Sequence, residues 1–154
     1  MEKVLVTGAS GYIAEHCIIE LLKNGYAVKG SLRSMSREQE VRTAIKTAID
    51  DNNLEFCELD LLKDDGWNDA MVDCDFVMHV ASPFVLENPK DENELLKPAK
   101  EGTLRALNAA KRAGIKRVVI TSSTAAVNSH MRNGISDHNT WTDVNSKYVT
   151  PYQK

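Results

Sequence analysis

Short runs of apolar and β-branched residues alternate along the chain with longer segments in which apolar residues recur at helical spacing. Continuous apolar runs are typical of strands buried in a parallel sheet, and the helical spacing is typical of amphipathic helices. The predicted strands cover residues 3–7, 26–32, 54–59, 75–81 and 117–121. The predicted helices between them cover residues 12–23, 41–49, 65–72 and 98–113.

The order of these elements predicts an α/β fold. Strands that alternate with helices form a parallel sheet with helices on both faces and right-handed crossovers. We expect a Rossmann-type doubly wound parallel sheet in the order 3-2-1-4-5, with a crevice above the carboxyl ends of the first and fourth strands. A chain of 154 residues is expected to form a single domain. Residues 128–147 are polar and are interpreted as a surface loop.

Turn and cap residues mark the ends of the predicted helices. Asn24 and Gly25 follow the first helix, and Gly114 follows the last one, as expected of C-terminal caps. Ser36 and Gln39 have the spacing of a capping box before the second helix. In that motif each side chain bonds a free backbone N–H of the first turn.

Composition narrows the classes of function. A formal net charge of −3 and a pI near 5.8 do not favour nucleic acid or an anionic membrane as a partner. No apolar run is long enough to span a bilayer. The three cysteines and scattered histidines lack metal-ligand spacing, so no metal site is expected. The sequence therefore predicts a soluble, reduced, cytoplasmic protein.

The turn between the first strand and the first helix is rich in glycine, with the sequence TGASGYIA at residues 7–14. Gly8 permits the tight turn, and Gly11 allows a pyrophosphate to approach the backbone. The helix that follows directs its amide donors and the positive end of its dipole at the anion. We therefore expect a dinucleotide-binding turn, and the alternative is an ordinary glycine turn without a ligand.

The residues after the second strand indicate which dinucleotide binds. A site selective for NAD usually places an acid here to bind the ribose 2′-hydroxyl, and residues 30–34 contain none. Arg33 is placed to bind a 2′-phosphate bidentately, with Arg37 as a second contact. We therefore expect NADP (NADPH) to be preferred over NAD. The alternative is that both arginines are solvated surface charges.

Four motifs together resemble the extended short-chain dehydrogenase/reductase family. They are the TGxxGxxA turn, Asp60-Leu61, the HVASP run at residues 79–83 and the Thr-Ser-Ser run at residues 121–123. The HVASP and TSSTAAVN runs are similar to the branch of dihydroflavonol 4-reductases, cinnamoyl-CoA reductases and related aldehyde or ketone reductases. The resemblance implies an NADP-dependent oxidoreductase with a small-molecule carbonyl substrate. The alternatives are an NAD-dependent sugar-nucleotide epimerase/dehydratase and a non-catalytic dinucleotide-binding module.

The resemblance also implies roles for individual residues. Ser123 hydrogen-bonds the substrate carbonyl, Asn128 contacts the substrate, and Tyr152 is the catalytic tyrosine of a Tyr-x-x-x-Lys motif. The residues implied to bind the cofactor are Gly8, Ser10, Gly11, Tyr12 and Ile13 at the pyrophosphate, Arg33 at the 2′-phosphate, Asp60 and Leu61 at the adenine, and Val80, Ala81 and Ser82 towards the ribose and nicotinamide. Thr121 is a further predicted cofactor contact.

Several of these residues have a purely structural alternative. Asp60 is alternatively a solvated strand end, and Ser122 and Ser123 are alternatively plain strand-end hydroxyls. Because side chains alternate along a strand, only one of the two serines should face the crevice. His79 lies in an apolar run and is expected to be a hydrogen-bonded core histidine rather than a catalyst. Asn128 is alternatively a turn former.

The implied chemistry requires a lysine four residues after Tyr152, because a nearby ammonium lowers the pKa of the tyrosine hydroxyl that gives up its proton. Lys154 follows Tyr152 by two residues, on nearly the opposite face of a helix. Residues 150–153 have the Thr-Pro-x-Gln pattern of a helix start. We therefore expect a truncated cofactor-binding half that lacks the later strands and the substrate-binding region.

Three further expectations follow from truncation. The isolated chain is expected to bind NADPH weakly or not at all. It is expected to show no turnover. The edge of the fifth strand is expected to be exposed, and an unpaired edge favours self-association.

Overall fold

Five parallel strands form the centre of the fold in a computed structural model, which describes residues 1–83, 91, 93–128, 135–147 and 149. The strands are β1 (Lys3–Val6), β2 (Ala27–Leu32), β3 (Leu54–Glu58), β4 (Phe76–His79) and β5 (Arg117–Ile120). They lie in the order β3-β2-β1-β4-β5, and every neighbouring pair is parallel. The predicted Rossmann-type sheet is thereby confirmed, and each strand lies inside its predicted range.

Helices connect successive strands on both faces of the sheet. They are α1 (Tyr12–Lys23), α2 (Glu38–Lys46), α3 (Trp67–Met71), α4 (Asn93–Ala113) and α5 (Ala125–Asn128). The predicted bounds of α1 are confirmed. In the part of the chain that the structure describes, no helix has the length and hydropathy needed to cross a membrane.

The last long helix, α4, starts earlier than predicted. The predicted first residue is Pro98, and proline is a residue type that is common at helix starts. In the structure, Asp91 Oδ1 accepts the backbone N–H of Asn93 at 2.9 Å, which caps a helix that begins at Asn93. Pro98 therefore lies inside α4. The predicted end at Ala113 is confirmed, and Gly114 follows it with φ +69°.

The predicted capping box before α2 is wrong. A 3-10 turn at Met35–Arg37 precedes α2, and the serine that caps this turn is Ser34, whose Oγ accepts the N–H of Ser36 at 3.4 Å. Gln39 donates from Nε2 to Thr43 Oγ1 instead of reaching back to the helix start. The extra turn moves the capping serine upstream, which spacing alone did not indicate.

Two hydrophobic layers cover the two faces of the sheet. Successive side chains of a strand point to opposite faces, so Val4 and Val6 of β1 pack with Ile18 of α1 in one layer. Leu5 points the other way and packs with Trp67 and other side chains of α3 and α4 in the second layer. Both layers bury β1, so the strand is fixed from two sides. The start of the turn that follows β1 is fixed with it.

Two isoleucines on α1 give a matched test of this packing. Ile18 is fully buried and Ile13 is 60% exposed. We expect Ile18→Ala to lower the free energy of unfolding by about 2–5 kcal/mol, because it leaves a cavity between α1 and the sheet. Ile13→Ala should change it by less than about 0.5 kcal/mol. Urea denaturation followed by circular dichroism measures both, and equal losses would contradict the described burial.

Candidate functional site

A cleft of about 310 Å³ opens at the carboxyl ends of the central strands. Its walls come from the segments that follow β1, β2, β3 and β4 and from the first turns of α4. The lining residues include Thr7, Gly8, Ser31, Arg33, Asp60, Leu61, Trp67, Ala81, Ser82, Glu94 and Pro98. The predicted crevice above β1 and β4 is therefore present.

The turn after β1 has a backbone that only glycine adopts without strain. Gly8 has φ +72°, and a Cβ built on it would lie 3.0 Å from the Cβ of Ala81. The Gly8 N–H donates to Ser31 Oγ at 3.1 Å, and the Ala9 N–H donates to the Ser31 carbonyl at 2.8 Å. The turn is therefore fixed to β2 on one side and touches the segment after β4 on the other.

The first turn of α1 has no side-chain cap. Gly11 is the N-cap residue in an extended conformation, and among the described residues no side chain accepts a hydrogen bond from the N–H groups of this helix end. The side chains of Tyr12 and Ile13 are exposed, at 78% and 60%, and both residues lie outside the cleft lining. An uncapped helix N-terminus beside a glycine turn is suited to an anion.

The two arginines predicted near the 2′-phosphate are in different environments. Arg33 lines the cleft, and among the described residues it forms no ion pair. The Arg37 guanidinium is bound to Glu40, with Nη2 to Oε1 at 2.6 Å and Nε to Oε2 at 3.0 Å. This pairing raises the pKa of Arg37 and lowers that of Glu40. Arg37 is not part of the cleft lining described above, so the structure brings only Arg33 into the cleft.

The loop after β3 carries Asp60 and Leu61 to the cleft. Asp60 Oδ1 accepts the backbone N–H of Leu62 at 2.9 Å, which turns the loop. Arg105 of α4 donates from Nη1 to the Leu61 carbonyl at 2.9 Å and also contacts the Asp64 carboxylate. α4 therefore holds this wall in place from the opposite side of the loop.

The segment after β4 is held by Thr7 and by β5. Thr7 Oγ1 lies 3.0 Å from the backbone nitrogens of both Val80 and Ala81. Thr121 donates from Oγ1 to the His79 carbonyl at 3.3 Å. His79 is 3% exposed, which agrees with the prediction of a hydrogen-bonded core histidine. Burial lowers the pKa of His79.

Of the residues predicted to contact substrate, Ser123 lies outside this cleft lining. Ser122 and Ser123 are both exposed, and Ser123 Oγ accepts the N–H of Ala125 at 3.2 Å at the start of α5. Asn128 is the last residue of α5. Its side chain and all of Tyr152 lie outside the described residues.

Several lining residues were not predicted. Ser31 is 3% exposed and stands two positions before Arg33, so strand alternation signals that it shares the face of Arg33. Glu94 and Pro98 enter the cleft from α4, whose early start was missed. Trp67 is 2% exposed and donates from Nε1 to the Lys63 carbonyl at 3.1 Å. No local pattern signals the position of Trp67, because α3 reaches the cleft through tertiary packing. No cluster of three metal-ligand side chains occurs among the described residues.

Comparison with known proteins identifies the family. The model of the NAD dependent epimerase/dehydratase family matches residues 4–153. The chain belongs to the NAD dependent epimerase/dehydratase family. A dihydroflavonol 4-reductase of Hordeum vulgare is 34% identical over 143 residues, covering 92% of this chain and 40% of the relative. Tetraketide alpha-pyrone reductase 1 of Arabidopsis thaliana is 37% identical over 126 residues, covering 81% of this chain and 39% of the relative.

Solved structures of this family have the same fold. Yeast methylglyoxal/isovaleraldehyde reductase Gre2 complexed with NADPH has a TM-score of 0.80 and 29% identity, over 98% of this chain and 47% of that one. Gre2 of Candida albicans, also with NADPH, has a TM-score of 0.82 and 29% identity, over 99% and 49%. The predicted resemblance to the dihydroflavonol 4-reductase branch is confirmed. The chain spans less than half the length of these relatives.

Gly8 and Gly25 provide a matched pair that separates backbone strain from crowding. Both have positive φ, at +72° and +81°, but a Cβ on Gly25 would meet nothing within 4 Å. We expect Gly25→Ala to cost about 1 kcal/mol of unfolding free energy through strain alone. Gly8→Ala should cost roughly 1–3 kcal/mol more, because its methyl group meets Ala81. Urea midpoints at equal m-values measure the difference, and equal costs would argue against the described contact.

Proposed function

We propose that residues 1–154 are the dinucleotide-binding unit of an NADP-dependent reductase that acts on a small carbonyl compound. One arrangement carries this proposal: the N-terminus of α1, where no described side chain binds the free N–H groups, and Arg33, which forms no ion pair with a described residue, lie at the same end of the sheet. Two anion-binding groups at this end match a cofactor with a pyrophosphate and a separate 2′-phosphate. The NADPH complexes of the two Gre2 relatives support the same cofactor.

The residues of the cleft fit such a cofactor. The backbone N–H groups of Tyr12 and Ile13 are proposed to bind the pyrophosphate, with Gly8 and Ser10 in the turn before them. The Gly11 N–H already donates to the Gly8 carbonyl at 2.9 Å. Arg33 is proposed to bind the 2′-phosphate, whereas Arg37 is already paired with Glu40. Asp60 and Leu61 border the proposed adenine position. Val80, Ala81, Ser82 and Thr121 are proposed to form the wall at the ribose and nicotinamide.

The proposed reaction places separate demands on the protein's own side chains. NADPH, when bound, would supply the hydride for the carbonyl carbon, and the protein would have to stabilise the negative charge that develops on the carbonyl oxygen. Ser123 Oγ accepts the Ala125 N–H, so its own proton remains to be donated to that oxygen. Tyr152 is proposed to give the oxygen its proton. Asn128 is proposed to contact the substrate.

The tyrosine needs a partner to work near neutral pH. A free tyrosine has a pKa of about 10, and a lysine ammonium four residues later on the same helix face lowers it. Residues 1–154 contain no lysine at that spacing after Tyr152. We therefore propose that turnover requires a lysine at this spacing.

Two further parts of the proposal concern the protein as a whole. We propose that it lies in the cytoplasm, because Cys17, Cys57 and Cys74 are free, as is usual in a reducing compartment. Self-association through β5 stays a prediction. It is supported by the exposed side chains of Val119 and Ile120 on this strand, which pairs only with β4 among the described strands.

Two arginines test the cofactor preference. We expect Arg33→Ala to weaken binding of 2′,5′-ADP by roughly tenfold or more, the worth of a charge-assisted hydrogen bond. The same change should leave 5′-ADP within about twofold, because 5′-ADP has no 2′-phosphate. Arg37→Ala is the matched control and should change neither affinity. Isothermal titration or NMR shift titration measures the affinities of the unmodified chain and of both variants for the two nucleotides.

The outcomes separate the alternatives. Equal loss of 2′,5′-ADP and 5′-ADP binding in Arg33→Ala would contradict the assignment of Arg33 to the 2′-phosphate. Equal affinity of the unmodified chain for both nucleotides would instead favour an NAD-using epimerase or dehydratase. No affinity for either would contradict the dinucleotide site.

Absorbance at 340 nm tests the claim about turnover. With NADPH and a small aldehyde such as methylglyoxal, we expect residues 1–154 to oxidise no NADPH above the rate without protein. Turnover that disappears in Tyr152→Phe would contradict the requirement for a lysine four residues after Tyr152.

A further inference from the structure

Three polar groups meet the hydroxyl oxygen of Thr7. His79 Nδ1 lies 2.9 Å from Thr7 Oγ1, and the backbone nitrogens of Val80 and Ala81 each lie 3.0 Å from it. Thr7 is 1% exposed and His79 is 3% exposed. In so dry a place every polar hydrogen needs an acceptor, so the direction of each bond is constrained.

The number of lone pairs fixes those directions. A hydroxyl oxygen accepts two hydrogen bonds and donates one. The backbone N–H groups of Val80 and Ala81 only donate, so they occupy both acceptor sites of Thr7 Oγ1. The hydroxyl proton therefore points at His79 Nδ1, and this nitrogen must be unprotonated. The proton of the neutral ring then sits on Nε2, which faces Thr103 Oγ1 of α4 at 3.5 Å.

The groups around the ring favour the neutral form. They are Thr7 after β1, Trp67 of α3 with ring centroids 6.3 Å apart, Thr103 of α4 and, in register on β5, Ile120. Among the described residues, no charged side chain forms an ion pair or a hydrogen bond with the ring. A second proton on Nδ1 would face a hydroxyl oxygen whose acceptor sites are both taken.

We propose that His79 is a positioning residue of the nucleotide site. Its unprotonated Nδ1 accepts the Thr7 proton, which is thereby turned away from the backbone nitrogens of Val80 and Ala81, so that Thr7 Oγ1 accepts both of their N–H groups. Ala81 lies against Gly8, and this contact leaves no room for a side chain at position 8. The consequence for cofactor affinity rests on the proposed function, whereas the bonding pattern itself does not.

The pattern has a definite pH dependence. Burial lowers the pKa of His79, so the folded chain favours the neutral ring. The contribution of the neutral His79 ring to the free energy of unfolding is complete above the unfolded pKa of about 6.5. It is lost as the pH falls through the lower pKa of the folded state. Acid should therefore loosen Val80 and Ala81 selectively.

NMR of the nitrogen-15-labelled chain tests the assignment directly. Long-range proton–nitrogen correlation at pH 7.5 should show His79 protonated at Nε2 and bare at Nδ1. A proton on Nδ1 at this pH would overturn the proposal. This measurement needs no variant and no cofactor.

Amide exchange tests the positioning role. His79→Asn can offer an acceptor oxygen near the Nδ1 position and does not titrate, whereas His79→Phe is of similar shape and offers none. We expect the protection factors of Val80 and Ala81, relative to the Val28 amide in β2, to fall at low pH in the unmodified chain. They should stay high in the Asn variant and fall by about tenfold at every pH in the Phe variant. Protection in the Phe variant equal to that of the unmodified chain would overturn the role.

Titration with 2′,5′-ADP distinguishes failure of the positioning role of His79 from failure of the proposed nucleotide site. We expect its affinity to follow the Ala81 protection factor across pH and across the variants. An affinity that stays constant while the Ala81 protection factor falls would overturn the positioning role. The expected tautomer together with no binding of 2′,5′-ADP would overturn the proposed function and leave the bonding pattern standing.

Discussion

The close approach of Gly8 to Ala81 is the constraint on which the site depends. A methyl group at Gly8 would stand 3.0 Å from the Ala81 Cβ, so the turn after β1 and the segment after β4 share one narrow space. Ser31 bonds the turn from β2, and Thr7 bonds the segment after β4. Three neighbouring strand ends are thereby fixed to one another, and the N-terminus of α1 is aimed over the same edge.

The order and the strand positions of the fold follow closely from local sequence. Strands buried on both faces must be continuous apolar runs, and each of the five runs became a strand inside its predicted range. Errors appeared where the chain had two competing signals. Pro98 is a common first residue of a helix, yet Asp91 caps α4 earlier. Ser36 has capping spacing, yet Ser34 caps the 3-10 turn before α2.

The site was predictable only as far as its signals are local. The glycine turn is a short motif, so Gly8 and Gly11 follow from sequence. The choice between Arg33 and Arg37 does not, because it depends on the ion pair that Arg37 forms with Glu40. Trp67 belongs to the cleft through contacts between elements far apart in the chain, and such contacts leave no periodic pattern. The roles of Ser123, Asn128 and Tyr152 rest on resemblance and stay predictions.

The central claim is that the amides at the start of α1 and the guanidinium of Arg33 bind one adenine dinucleotide. An NMR titration of the labelled chain with NADPH tests it most directly, because it reports weak binding residue by residue. The account predicts the largest shifts at the amides of Gly8, Gly11, Tyr12 and Ile13 and at Arg33 Nε. Shifts confined to other surfaces, or none at millimolar NADPH, would contradict it.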